Sequence, residues 1–209
     1  MLPTVGSFNY LVQSGKDGNV YLVDQASLGG YSSSSNNVVE SFSLSAIGSG
    51  VWGSPTYWNG SVYFGASQDH HGPTDPARAF SFDTSSTAML SSSPTSVTTG
   101  LFGYPGPTLP ISANGTSNGI AWALENLLYC TDDSTGCGPA VLHAYDATNL
   151  ATEFWNSAQN PADAAGNAVK FTVPTVANGK VYIGTRGNDT GSGGTSVPGE
   201  LDVYGLKPN

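Results

Sequence analysis

The sequence predicts an all-β fold built from repeated antiparallel sheets, and three observations predict it. Almost every apolar run is four to seven residues long, rich in Val, Tyr, Phe and Ile, and closed within a few residues by Asn-Gly, Asp-Gly or Gly-Gly. That is the pattern of short strands and tight turns, with no helical period beside it. Of 209 residues, 27 are Gly, 13 are Pro and only 10% are charged, which suits many short strands joined by turns. Third, one strand–turn–strand unit recurs along the chain.

The unit is clearest in Ser54-Pro-Thr-Tyr-Trp-Asn-Gly-Ser-Val-Tyr-Phe-Gly65 and Val173-Pro-Thr-Val-Ala-Asn-Gly-Lys-Val-Tyr-Ile-Gly184. A looser copy runs from Gly106-Pro-Thr-Leu-Pro-Ile-Ser-Ala-Asn-Gly115 into Gly119-Ile-Ala-Trp-Ala-Leu124. The Pro stands at the first strand position, where its missing N–H does least harm to the ladder. Asn-Gly accepts the positive φ angles of a two-residue hairpin, so turns are predicted at Asn59-Gly60, Asn114-Gly115 and Asn178-Gly179.

A third strand follows in each unit, as Val20–Asp24, Ala79–Asp83, Leu142–Asp146 and Leu201–Tyr204. Asp24, Asp83 and Asp146 end three of them, each placed to bond the backbone of the next turn in a structural role. With strands lettered A to D from the innermost outward, the units are blade one (8–45), blade two (54–99), blade three (106–157) and blade four (171–206). Blade one has no recognisable strand A and is expected to be cut at its start; blade four ends after C. Four-stranded units at this spacing fit a β-propeller better than a solenoid or a sandwich, so the expected architecture is an open arc of about three and a half blades.

Charge narrows the partners. The formal net charge is −9 with six Lys and Arg, leaving no basic surface for a phosphate backbone, and nucleic acid is not an expected partner. No stretch approaches the roughly 20 apolar residues of a membrane helix, and the opening MLPTVGSFNY lacks signal-peptide regions. Cys130 and Cys137 bracket a polar loop that could fold back into a local disulfide, with free thiols as the alternative; the spacing does not suit a Cys-x-x-Cys metal pair. A disulfide there implies an oxidising compartment, extracellular or periplasmic, for the parent protein.

The stretch Ala144-Tyr-Asp-Ala-Thr-Asn-Leu-Ala-Thr-Glu-Phe-Trp155 resembles the tryptophan-docking repeat of pyrroloquinoline-quinone (PQQ)-dependent dehydrogenases, and Gly15-Lys-Asp-Gly-Asn-Val-Tyr-Leu-Val-Asp24 is similar to their blade turn. The resemblance covers most of the chain at the level of blades. It implies a quinoprotein-like propeller in which Trp155 docks on a neighbouring blade, while Trp52, Trp58 and Trp122 match no docking position. The enzymes of that family also hold Ca²⁺ beside PQQ through Glu, Asn and Asp side chains and carry a catalytic Asp. No matching set is found here, and PQQ is not an expected cofactor.

Propellers gather their B–C and D–A connections on one face, the usual binding face. The B–C connections of blades two to four are long, and long loops on a rigid scaffold are where function collects. They carry Asp69, His70, His71, Asp75, Asp132, Asp133 and Asp189. Asp69, His70 and His71 are the candidate metal ligands, since carboxylates with imidazoles suit Zn²⁺ or Mn²⁺ and an open position could activate water. Adjacent histidines point to opposite sides of an extended chain, so both could bind one ion only across a turn. His143, alternating within strand C, reads as a packed or hydrogen-bonded core residue.

The expected function is therefore a non-catalytic binding or scaffold module of a secreted PQQ-like propeller, with its ligand on the B–C face or in a central channel. A metal-assisted hydrolase using Asp69, His70 and His71, or a remnant of a sugar or alcohol dehydrogenase, is the alternative. Exposed strand edges at both ends of the arc predict self-association into a homodimer that completes the ring.

Overall fold

The computed structural model describes residues 1–44, 50–68, 74–85, 87–129, 138–186 and 198–205. Among the described residues, fourteen strands form four antiparallel sheets in chain order. The first contains β1 (Tyr10–Ser14), β2 (Asn19–Asp24) and β3 (Val38–Ser43); the second β4 (Thr56–Trp58), β5 (Ser61–Phe64), β6 (Arg78–Ser81) and β7 (Ser96–Val97). The third contains β8 (Ile111–Asn114), β9 (Ser117–Glu125), β10 (Val141–Asp146) and β11 (Asn149–Asn156); the fourth β12 (Thr175–Ala177), β13 (Lys180–Thr185) and β14 (Glu200–Gly205). Every strand pairs with its neighbour in sequence, as meandering hairpins require. The four sheets hold three, four, four and three strands.

Alternation along the strands stacks each sheet on the next. In β5, Val62 and Phe64 join Val20 and Leu22 of the first sheet in one apolar cluster, while Tyr63 between them turns to the third sheet and packs with Ala121, Ala123 and Tyr145. In β10, Tyr145 belongs to that second cluster and Leu142 to a third, shared with Val181 and Ile183 of the fourth sheet. The second and third sheets are thus buried on both faces.

Hydrogen bonds cross the same contacts. The Tyr63 hydroxyl donates to the Ala147 carbonyl at 2.7 Å, and burial pushes its pKa up to about 12, so it remains a donor at any physiological pH. Leu150 N–H donates to Ser96 Oγ, and Leu90 N–H to Glu40. The three strand-end aspartates do what their position predicts: Ala26, Ser85 and Thr148 each donate a backbone N–H to Asp24, Asp83 and Asp146 respectively.

Three expectations need correction. The hairpin predicted at Asn114-Gly115 turns at Gly115-Thr116, with Asn114 already paired to Ser117, one residue later than predicted. Gly115 takes φ +63° as the first loop residue, and the displaced register is absorbed between Ser112 and Asn114. Trp58, assigned no docking role, packs against the second cluster and donates Nε1–H to the Gly115 carbonyl of the next sheet at 2.9 Å. The first strand of the last sheet starts at Thr175 and not at Phe171, because Phe171 sits in a left-handed turn at φ +65°. Trp155 meets Tyr204 of the fourth sheet with ring centres 5.6 Å apart.

Candidate functional site

Two groups of side chains stand out, and they differ in what they can do. The first surrounds His143 in the third sheet. Residues 121, 123 and 125 of β9 and 141, 143 and 145 of β10 share one face by register, and Glu153 of β11 lies opposite Tyr145. This brings two carboxylates to one imidazole: His143 Nδ1 lies 2.7 Å from Glu153 and Nε2 lies 3.3 Å from Glu125. The ring stacks on Tyr145 and meets the edge of Phe102.

Burial opposes the charged form of His143, which is only 7% exposed, but the hydrogen bonds to Glu125 and Glu153 outweigh it and hold the pKa above the usual histidine value. Both ring nitrogens are committed. Neither is free to take a proton from a substrate or to bind an ion, so the triad is a tie across β9, β10 and β11, as the sequence reading of His143 expects.

Asp75 likewise leaves the list of loop acids. It is buried, pairs through its backbone with Phe102 and grips Arg78 with both carboxylate oxygens, at 2.6 and 3.0 Å. It is an internal brace. Asp69, His70 and His71, the candidate metal ligands, lie outside the described residues, as do Asp132, Asp133, Asp189 and the pair Cys130 and Cys137. Among the described residues, no three His, Cys, Asp or Glu side chains are grouped to hold a metal ion.

The second group lies where successive sheets are joined. A cleft of about 100 Å³ is walled by Trp52 and Gly53 ahead of β4, by Pro105, Gly106 and Thr108 ahead of β8, and by residues 171–173 ahead of β12. Each of these connections leads into a Pro-Thr strand opener, and each carries one aromatic ring at the same place, three residues before the Pro: Trp52 before Pro55, Tyr104 before Pro107, Phe171 before Pro174. The rings form a ladder. Trp52 and Tyr104 have centres 4.8 Å apart and Tyr104 and Phe171 5.8 Å, both edge to face.

Local structure fixes this geometry. Gly65 lets the Pro107 carbonyl pass so closely that a Cβ there would collide with it, and Gly106 turns at φ +80° against Ala66. Phe171 is the unusual member, a bulky residue in left-handed backbone that is nevertheless 57% exposed. Such strain concentrates at ligand sites. Trp52 Nε1 is shut off from solvent and has no hydrogen-bond partner among the described residues.

Two cations border the ladder, Lys16 over the Trp52 ring at 4.6 Å and Lys170 over Tyr129 at 5.0 Å. Tyr129 in turn lies 6.4 Å from Tyr104. The six Lys and Arg of the whole chain thus place two beside one aromatic cluster. A larger cavity of about 210 Å³, between Met1, Val12 and Tyr57, has no Asp, Glu, His, Lys or Arg among the described residues that line it.

The sequence reading looked to the B–C connections and missed this site. The signal was the aromatic at a fixed offset from each Pro-Thr. Set beside known proteins, the chain matches no protein-family model, no curated protein and no solved structure.

Proposed function

We propose that this chain is a non-catalytic ligand-binding module, an arc of PQQ-like propeller blades from a secreted protein, with its site in the cleft between the inter-blade connections. The observation that carries the reading is the aromatic ladder Trp52–Tyr104–Phe171, contributed by one repeat position of three successive units. Pockets of this kind, mostly apolar with a few polar groups at fixed positions, are where ligands settle. The serial stacking of three-, four-, four- and three-stranded sheets supports the propeller arc.

The same reading accounts for the outward face of the fourth sheet, where Leu201 is 66% and Val203 47% exposed. A second copy of the chain covers that face, joining two arcs into a ring.

Thermal-shift screening of the purified protein against a mixed library of peptides, saccharides and aromatic acids tests the binding reading. Hits that stabilise the protein but not Phe171→Ala are expected. Hits indifferent to Phe171→Ala, or turnover of a library member, would overturn it. For the ring, light scattering should report about twice the 21.4 kDa chain mass, falling to the single mass in Val203→Asp.

A further inference from the structure

We infer that the ligand of this cleft is a proline-rich segment with acidic residues, bound in the polyproline II conformation; the inference rests on the binding reading above and names its ligand. The wall combines the Trp52 and Phe171 rings with Pro105 and Val173, and its side chains offer little hydrogen bonding beyond the hydroxyls of Thr108 and Thr172. The charged groups beside the ladder are both donors, the ammonium of Lys16 over the Trp52 ring and that of Lys170 over Tyr129.

A saccharide brings many hydroxyl groups into contact, and each one dehydrated without a partner weakens binding. A prolyl segment has the opposite inventory. Its rings are apolar, its prolines have no N–H to leave unpaired, and its carbonyls accept from whatever donor they meet. Aromatic-lined grooves are the recurrent receptors of such segments.

Spacing agrees. Polyproline II advances about 3.1 Å per residue, so alternate residues are about 6 Å apart. The ladder steps are 4.8 and 5.8 Å, close to that interval. A cleft of about 100 Å³ takes one five-membered ring and leaves the rest of the peptide on the surface of the ladder. Charge selects the flanks: in a chain of net charge −9, the lysines beside the rings favour carboxylates at this spot over the general repulsion.

The test is titration of the full chain with acetyl-Asp-Pro-Pro-Asp-Pro-Pro-Asp-amide, observed through the indole N–H resonances, with Trp52→Phe identifying the Trp52 signal. The Trp52 signal is expected to shift on saturation, because the ring itself lines the cleft. Phe171→Ala should weaken binding about tenfold, and each of Lys16→Gln and Lys170→Gln about threefold, with loss of salt dependence in the double variant. A peptide with Ala-Ala for each Pro-Pro, or with Lys for each Asp, should bind less well than the acidic proline peptide.

Equal binding of the Ala-Ala peptide or of the Lys peptide would overturn the ligand class. If an oligogalacturonate moves the Trp52 signal and the proline peptide does not, the ligand class falls and the binding reading stands. If neither moves it, and the library screen yields no hit dependent on Phe171, both fall.

Discussion

The third and fourth sheets share a Pro-Thr opener and an Asn-Gly dipeptide at their first hairpin, yet their outer faces meet different environments. Leu142 of β10 is wholly buried against the fourth sheet, while Val203 of β14, on the far face of that sheet, is 47% exposed. The strand pattern is shared; the neighbour is not. An apolar residue in this fold is stabilising only as far as another sheet covers it, so the inner pair of sheets forms the frame and the last sheet presents a surface.

Truncating the covered residue should break this contrast most visibly. Leu142→Ala is expected to cost about 2–5 kcal/mol, from lost transfer and the cavity left between two sheets. Val203→Asp should change the stability of the separated chain by less than about 0.5 kcal/mol, as a surface substitution does. Urea denaturation of both variants checks the pair, and similar losses would show the two faces to be equivalent after all.

The next effect sharpens the comparison at the central contact. Tyr63→Phe keeps the ring between the second and third sheets but removes the donor to Ala147, leaving a buried carbonyl unpaired. A loss of about 1–2 kcal/mol is expected by thermal or urea unfolding.

The smallest effect depends on pH. The pKa of His143 is raised in the folded chain, so its bonds to Glu125 and Glu153 contribute fully below the unfolded histidine value of about 6.5 and fade as pH rises through the folded value. Stability should therefore fall over that window in the native protein, and His143→Gln should flatten the fall. An unchanged pH profile in the variant would remove the triad from the account of stability.

What could be read from the sequence depended on how far the cause lay from the effect. Asp24, Asp83 and Asp146 bond residues two positions away, and their roles were legible. The hairpins at Asn59-Gly60 and Asn178-Gly179 were equally local, with both loop residues at positive φ. At Asn114-Gly115 the same dipeptide slipped by one, because Gly115 can serve as the first loop residue as well as the second. Trp58 was illegible, its partner Gly115 lying on another sheet.

Phe171 failed for a different reason. A strand start was the reasonable expectation for an aromatic residue ahead of Val-Pro-Thr, and left-handed backbone is the conformation that a bulky side chain ordinarily avoids. The ladder as a whole was visible in principle, as three aromatic residues at one offset from three prolines. Only the stacking of sheets turns that regularity of spelling into a single place.

The stacking has a consequence for how the chain acquires its shape. Each sheet is complete within one short stretch of sequence and packs on the sheets made just before and just after it. Loop closure is then a series of small steps rather than one long search, and order can spread from sheet to sheet as the chain leaves the ribosome. The second and third sheets, which find a partner on either side, are the natural seed, and the rim sheets condense on them afterwards. Damage travels by the same route: a fault in a rim sheet stays at the rim, whereas a fault at the Tyr63 contact divides the molecule into two halves.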